Sequence, residues 1–324
     1  MQTALRLARR NLGQTWPNPS VGAVVVKDDC IIGQGVTARG GRPHAETEAL
    51  AQAAAQARGA TLYVTLEPCA HQGKTSPCAE AIITAGIARC VVACRDPNPL
   101  VNGKGIAQLQ QAGIEVIERV CEEEAKDINR GFFSVMERKR PYVALKIAAS
   151  LDGRVASPKG RWITSEPARG YGHLLRSRYD AIATGIGTVL ADDPLLTCRL
   201  PGLEERSPVR VIFDRRRRLP EDSQLMKTAD KVPVWPMAEE NIAAALAALA
   251  AKGITRLLVE AGQKLSTAFL QSGLVDRVYW FRAPAVIGEE GLAAFSDGVP
   301  ARWKQIDQIP LLPDRLDVFE CSAA

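Results

Sequence analysis

Twice along this chain short β-type runs alternate with helical ones, and a charged stretch ending at Pro141 separates the two series. Such alternation specifies an α/β layer on a largely parallel sheet. In the first series GAVVVKDDCIIGQG (22–35) reads as two strands joined through Asp28-Asp29. A helix is expected over 45–58, closed by Gly59, then a strand over 61–66 and a helix over 77–85. A strand over 89–94, a helix over 105–112 and a strand over 114–118 complete it. The stretch CEEEAKDINRGFFSVMERKRP reads as one helix, because the residue before a proline resists the α conformation. The second series runs strand from Tyr142, helix 167–178, strands 180–184 and 209–213, helix 242–251, strand 254–260, helix 266–271, strand 277–281. With 324 residues, the chain is expected to form two domains, 1–140 and 141–324.

Composition narrows the function classes. Hydrophobic residues make up 46% and charged residues 24%, which excludes a disordered or fibrous chain. Net charge is +5, spread evenly: 17 basic against 14 acidic residues up to Arg140, and 24 against 22 beyond. Neither half has the basic excess of a nucleic-acid-binding domain. No apolar run is long enough for a membrane span, and the opening MQTALRLARRNLGQTW lacks a secretory apolar stretch, so no membrane partner and a cytoplasmic location are expected. Eight cysteines in that setting point to thiols or metal ligands.

The sharpest chemistry is His44-Ala45-Glu46, followed by Pro68-Cys69 and, nine residues after that cysteine, Cys78. One imidazole and two thiolates form a three-ligand zinc set that leaves a fourth position for water. His44 and Cys78 both fall at expected helix starts, where backbone N–H groups favour thiolate and hydroxide. Glu46 is not needed as a ligand; its natural work is to take a proton from water and give it to a leaving nitrogen. This is the H-x-E…P-C…C signature of zinc nucleobase deaminases, with eight residues between the cysteines instead of two. His71 is read as a substrate contact, since a fourth protein ligand would close the site. Cys30, Cys121, Cys198 and Cys321 read as plain thiols, and Cys90 and Cys94 as small buried strand residues. A zinc-stabilised binding protein is the reading from another class; Glu46 discriminates, because a structural site has no use for it.

With CAHQGKTSPC in view, the chain resembles the bifunctional riboflavin-biosynthesis deaminase/reductase family. The likeness is carried at Cys69, His71, Gly73, Thr75, Pro77 and Cys78. It extends through PNPSVGAVVV, GRPHAE, DPNPLVNGKG, LKIAASLDGR, RWITS, TVLADDPLLTCR and VEAG, with 206–240 the least similar part. The resemblance implies a cytidine-deaminase-like three-layer domain followed by a dihydrofolate-reductase-like domain. The first would hydrolyse the 2-amino group of 2,5-diamino-6-ribosylamino-4(3H)-pyrimidinone 5′-phosphate; the second would use NADPH to reduce the ribosyl to the ribityl side chain. By the same matching Asn18 would hydrogen-bond the pyrimidine edge, and Asp96, Asn98 and Lys104 would lie in a loop closing over it. Ala148, Trp162, Thr188 and Asp192 would face NADPH, as would the run Gly262, Gln263, Lys264, Leu265, Ser266, Thr267 and Ala268. Arg176, Leu196, Arg199 and Glu260 would contact substrate, the arginines at its phosphate, with Lys146 a further candidate. A homo-oligomer, dimer or tetramer, is implied as well.

The second half also speaks physically. It has no G-x-G-x-x-G, so a Rossmann cofactor site is not supported. Instead Glu260-Ala-Gly-Gln joins a strand end to a helix start, where Gly262 permits close approach and free N–H groups suit a pyrophosphate. The run Arg215–Arg218 departs from the family's small residue after the aspartate. It reads either as a solvated basic loop or as a partner for the 2′-phosphate of NADPH. A competing enzyme reading is a zinc deaminase of nucleosides or tRNA with a non-catalytic C-terminal module; the balanced charge of both halves and the phosphate-binding arginines of the second oppose it.

Overall fold

The computed structural model describes residues 1–71, 76–156, 162–296 and 303–321. The chain divides into two compact units, Met1–Lys139 and Arg140–Ala324. No helix among the described residues is long and apolar enough to cross a membrane.

The first unit runs α1 (Gln2–Arg10), β1 (Gly22–Lys27), β2 (Cys30–Val36), α2 (Ala45–Ala53), β3 (Thr61–Val64) and α3 (Cys78–Thr84). It continues through β4 (Arg89–Val92), α4 (Lys104–Gln111), β5 (Glu115–Ile117), α5 (Glu122–Ile128) and α6 (Arg130–Arg138). Its five strands are ordered β2-β1-β3-β4-β5. Asp28 and Asp29 both have positive φ, 48° and 59°, the backbone that a two-residue hairpin turn demands. The sheet is mixed rather than largely parallel: β1 is antiparallel to both β2 and β3, and only β3-β4-β5 run parallel. Ala23 and Val25 of β1 join Leu62 and Val64 in the main core, under Ala49 and Ala53 of α2 and Ile82 of α3. Val24 points to the other face, against Ala4 and Leu7 of α1. The sheet is therefore covered on both sides, and each buried Val, Leu or Ile here contributes about 1.5–3 kcal/mol.

Two expectations for this unit are corrected. The helix over 45–58 stops at Ala53, and 54–57 form a tighter turn. The stretch before Pro141 is two helices broken at Asn129, whose side chain accepts from Ser20 N at 2.8 Å and donates to Ser20 O at 3.1 Å. That long-range pair, not a local breaker, ends α5.

The second unit runs β6 (Tyr142–Ala149), β7 (Arg154–Ala156), α7 (Glu166–Arg176), β8 (Ala181–Gly185), α8 (Ile186–Asp192), β9 (Val209–Phe213) and α9 (Gln224–Lys227). Then come β10 (Val234–Met237), α10 (Ile242–Ala251), β11 (Arg256–Val259), α11 (Gln263–Gln271), β12 (Arg277–Arg282), β13 (Leu292–Ala293), β14 (Trp303–Leu311) and β15 (Asp314–Cys321). Eight strands are ordered β10-β9-β8-β11-β6-β12-β15-β14, while β7 and β13 pair separately. From β10 to β12 all neighbours are parallel; β15 and β14 extend the sheet antiparallel. The central β8 and β11 are buried on both faces and mostly apolar, Thr184 and Arg256 apart, as parallel strands under helices require. Cores lie on each face, one around Leu175, Tyr179 and Phe281, the other around Ile182, Val189 and Ile212.

Candidate active sites

In the first unit α2 is brought down onto β2 at two glycines. A Cβ at Gly33 or Gly35 would stand 2.1 Å from Ala49 O or 2.0 Å from Ala45 O, so no larger residue fits. This close seat fixes the start of α2, where His44 is the N-cap and Glu46 lies in the first turn. Cys69 follows the end of β3, and Cys78 is the first residue of α3. One ligand atom from each of His44, Cys69 and Cys78 lies within 4.8 Å of the others. His44 Nδ1 is 3.2 Å from Cys78 Sγ and 3.7 Å from Cys69 Sγ. A tetrahedral zinc with bonds of about 2.0–2.3 Å sets such nitrogen–sulfur separations at about 3.6 Å. The donor set and its spacing therefore fit zinc. Among the described residues no other group of three such side chains converges.

The electrostatics agree with that reading. Cys69 is drawn down to about 4 by hydrogen bonds from the Cys78 thiol, His44 and the Cys78 N–H, the last at 3.3 Å, against its own burial. Cys78 is pushed up, because the Cys69 sulfur claims its proton and burial disfavours a second thiolate. Glu46 is 4% exposed, and burial pushes its carboxyl up to about 7 against the pull of His44. Cys90 and Cys94 are raised to about 12 by burial, as inert thiols should be. His71, two residues after Cys69, is exposed and is not among the converging ligand atoms; Gly73 and Thr75 lie outside the described residues. Asn18 donates its amide to Gly41 O at 2.8 Å, which holds the 15–18 turn to the loop before His44.

In the second unit a cleft of about 1480 Å³ opens where parallel strands end, beyond Ala148 of β6, Gly185 of β8, Phe213 of β9 and Glu260 after β11. Ligands of open α/β sheets bind at this edge. Thr188, Asp192, Leu196, Arg176 and Ala148 line it, as do Gly262 to Ser266 and Ala268. A Cβ at Gly262 would stand 3.5 Å from Thr188 Oγ1, so the loop before α11 and the start of α8 flank one space. Arg176 Nε and Nη2 reach Glu260 Oε1 and Oε2 at 2.8 and 2.9 Å, and Nη1 donates to Thr197 O at 3.0 Å. Lys146 Nζ is 3.6 Å from the same carboxylate. Burial would raise Glu260, but Arg176 and Lys146 overcome it and hold the group at about 2.

Three residues expected at this cleft do not line it. Trp162 is 60% exposed with its ring 5.2 Å from the Arg169 guanidinium. Thr267 is buried and accepts from Ser296 N at 3.1 Å. Arg199 is exposed, its backbone N–H donating to His173 Nδ1. Arg215, Arg216 and Arg218 do line it, at the end where β9 stops; the turn is held by Asp214, which accepts from the N–H of Arg218 and of Leu219.

Residues 1–94 match the cytidine and deoxycytidylate deaminase zinc-binding region, and residues 141–309 match the RibD C-terminal domain. The riboflavin biosynthesis protein RibD of Aquifex aeolicus is 42% identical over 337 residues, 95% of this chain and 94% of that one. The chain belongs to the RibD family. Among solved structures, Acinetobacter baumannii RibD superposes with a TM-score of 0.92 at 43% identity, covering 99% of this chain and 97% of that one. A Thermotoga maritima structure described as a diaminohydroxyphosphoribosylaminopyrimidine deaminase/5-amino-6-(5-phosphoribosylamino)uracil reductase gives 0.90 at 37% identity, covering 99% and 97%. The RibD fold is thus a cytidine-deaminase-like unit followed by a dihydrofolate-reductase-like one.

Sequence reasoning passed over two features of the RibD-type sites. Asn241 and Ile242, at the start of α10, line the cleft. Glu67, buried two residues before Cys69, accepts hydrogen bonds from four backbone N–H groups around the 96–103 loop. An acidic residue beside a proline at a strand end was the available signal, but its partners lie far away in sequence.

Proposed function

We propose that this chain carries out two consecutive steps of riboflavin biosynthesis. The first hydrolyses the 2-amino group of 2,5-diamino-6-ribosylamino-4(3H)-pyrimidinone 5′-phosphate; the second reduces the ribosyl side chain of the product to ribityl with NADPH. The observation that carries the reading is Glu46, a buried carboxyl two residues after His44, which converges with Cys69 and Cys78. A metal site serving stability alone has no use for it.

In the deaminase unit His44, Cys69 and Cys78 would hold zinc. Zinc held there supplies Lewis-acid chemistry that makes water acidic enough to attack at neutral pH. Glu46 takes the proton released as the new C–O bond forms at the amino-bearing carbon. It returns that proton to the nitrogen as the C–N bond breaks, and ammonia leaves. Asn18 and His71 are assigned to the pyrimidine, and Asp96 and Asn98 to the loop around it.

In the reductase unit the cleft would hold NADPH along α8 and the start of α11, the helix N-terminus receiving the pyrophosphate. NADPH supplies a hydride. Glu260, kept ionised by Arg176 and Lys146, accepts hydrogen bonds from the sugar hydroxyls beside Leu196. The substrate phosphate is assigned to Arg176 and Arg199, the two arginines that the family motifs place at it, as guanidinium groups bind phosphate bidentately. Supplying the deaminated intermediate with NADPH tests this half alone: NADPH oxidation without ammonia release is expected.

A homo-oligomer, dimer or tetramer, belongs to the same proposal. The open edge at β14, where Ile306 is exposed, supports it, and light scattering would give the mass. The cytoplasm, where NADPH is available, is the proposed location.

A further inference from the structure

Glu67 is 3% exposed and stands between the end of β3 and the ligand Cys69. Its Oε2 accepts from Asp96 N at 3.3 Å and Gly103 N at 3.0 Å; its Oε1 accepts from Gly105 N at 3.1 Å and Ile106 N at 3.3 Å. One carboxylate thus closes both ends of the 96–103 loop and caps the N-terminus of α4 from a distant strand. Its own N–H donates to Cys94 O at 2.9 Å, so backbone and side chain both face the same loop. A Cβ on Gly105 would stand 2.0 Å from Pro68 O, so only glycine lets the helix start come this close to the ligand-bearing turn.

Inside the clasp the loop is ordered by its own side chains. Asp96 Oδ1 accepts from Asn98 N at 2.8 Å, and Asn98 Oδ1 accepts from Leu100 N at 3.0 Å. Asp96 is itself buried. A carboxylate with four donors cannot be replaced by an amide without setting an NH₂ against two of them.

We propose that Glu67 is a positioning residue of the deaminase: it locks the 96–103 loop to the Pro68-Cys69 turn, so that Asp96 and Asn98 meet the pyrimidine ribotide at a fixed distance from the metal ligands. Glu67 itself touches neither substrate nor metal. The inference rests on the function proposed above.

The test compares wild type with Glu67→Gln as full-length zinc-loaded protein. Ammonia release from the diaminopyrimidine ribotide, zinc content, NADPH oxidation on the deaminated intermediate and amide hydrogen exchange are measured. The variant should keep one zinc per chain and unchanged NADPH oxidation. Its KM for the ribotide should rise at least tenfold, with kcat falling less than KM rises. Faster exchange should be confined to 96–106. An unchanged KM, or loss of zinc in step with activity, would overturn the positioning role. Should Glu67→Gln not yield folded protein, Gly103→Ala carries the test. It leaves the carboxylate in place and disfavours only the left-handed backbone (φ 79°) that turns one donor toward it. A KM rise of about threefold is expected, and no rise overturns the inference. Wild type that releases no ammonia would instead overturn the function on which the inference stands.

Discussion

Arg176 grips Glu260 through both arms of its guanidinium, with Nε to Oε1 at 2.8 Å and Nη2 to Oε2 at 2.9 Å, in a setting where each side chain is at most 14% exposed. The pair is the electrostatic centre of the reductase cleft. Arg176→Ala would leave a buried carboxylate facing Lys146 at 3.6 Å. Breaking a buried pair from one side costs about 3–5 kcal/mol. Urea unfolding should therefore show the second unit's transition moved to lower denaturant, while zinc content stays at the wild-type level.

Acid should weaken this unit in two stages. His173 is held down at about 4 by burial and by Arg176 and Arg199, so the fold keeps it neutral. Its stabilisation is complete above the ordinary value of about 6.5 and lost as pH falls toward 4. Glu260 is depressed to about 2, so its contribution is complete above about 4.5 and lost as pH falls toward 2. The second loss is on the order of 3 kcal/mol. Thermal melting across pH 7 to 2.5 should follow this course, and Glu260→Gln should flatten the part below pH 4.5.

Glu46→Gln separates the two chemistries. The amide keeps the shape of the side chain and leaves His44, Cys69 and Cys78 untouched, so bound zinc should persist. Loss of the proton carrier should slow ammonia release about 10²- to 10⁴-fold. NADPH oxidation on the deaminated intermediate should continue at the wild-type rate, because the described residues that line that cleft all belong to the second unit.

Arg215, Arg216 and Arg218 line the cleft where β9 stops and are exposed to solvent, and nucleotide binding separates the solvated-loop reading from the 2′-phosphate reading. Changing Arg215–Arg218 to serine should weaken NADPH binding at least tenfold and leave NADH binding within about twofold; charge-assisted arginine–phosphate bonds are among the strong ones. Calorimetric titration of both nucleotides checks this. Equal losses for the two would return the run to the surface.

The deaminase site was legible because its chemistry sits in short runs: His44-x-Glu46 at a helix start, Cys69 at a strand end, Cys78 at the next helix start. What escaped was held by distant partners. Asn129 breaks a helix for the sake of Ser20, and Glu67 serves residues 29 to 39 positions away. The β14–β15 hairpin lacked a signal for another reason. WKQIDQIPL lies on an open edge with most residues exposed, so no apolar alternation marks it as a strand. In the cofactor loop, matching by family took 262–268 as one run, and of these only Thr267 is turned away from the cleft. It is bonded to Ser296 instead.

The most direct measurement supplies zinc-loaded protein with the diaminopyrimidine ribotide and follows ammonia with and without NADPH. One ammonia per substrate is expected in both cases, with NADPH oxidation that begins only after ammonia appears. No ammonia from zinc-loaded protein, or NADPH oxidation that precedes it, would contradict the account.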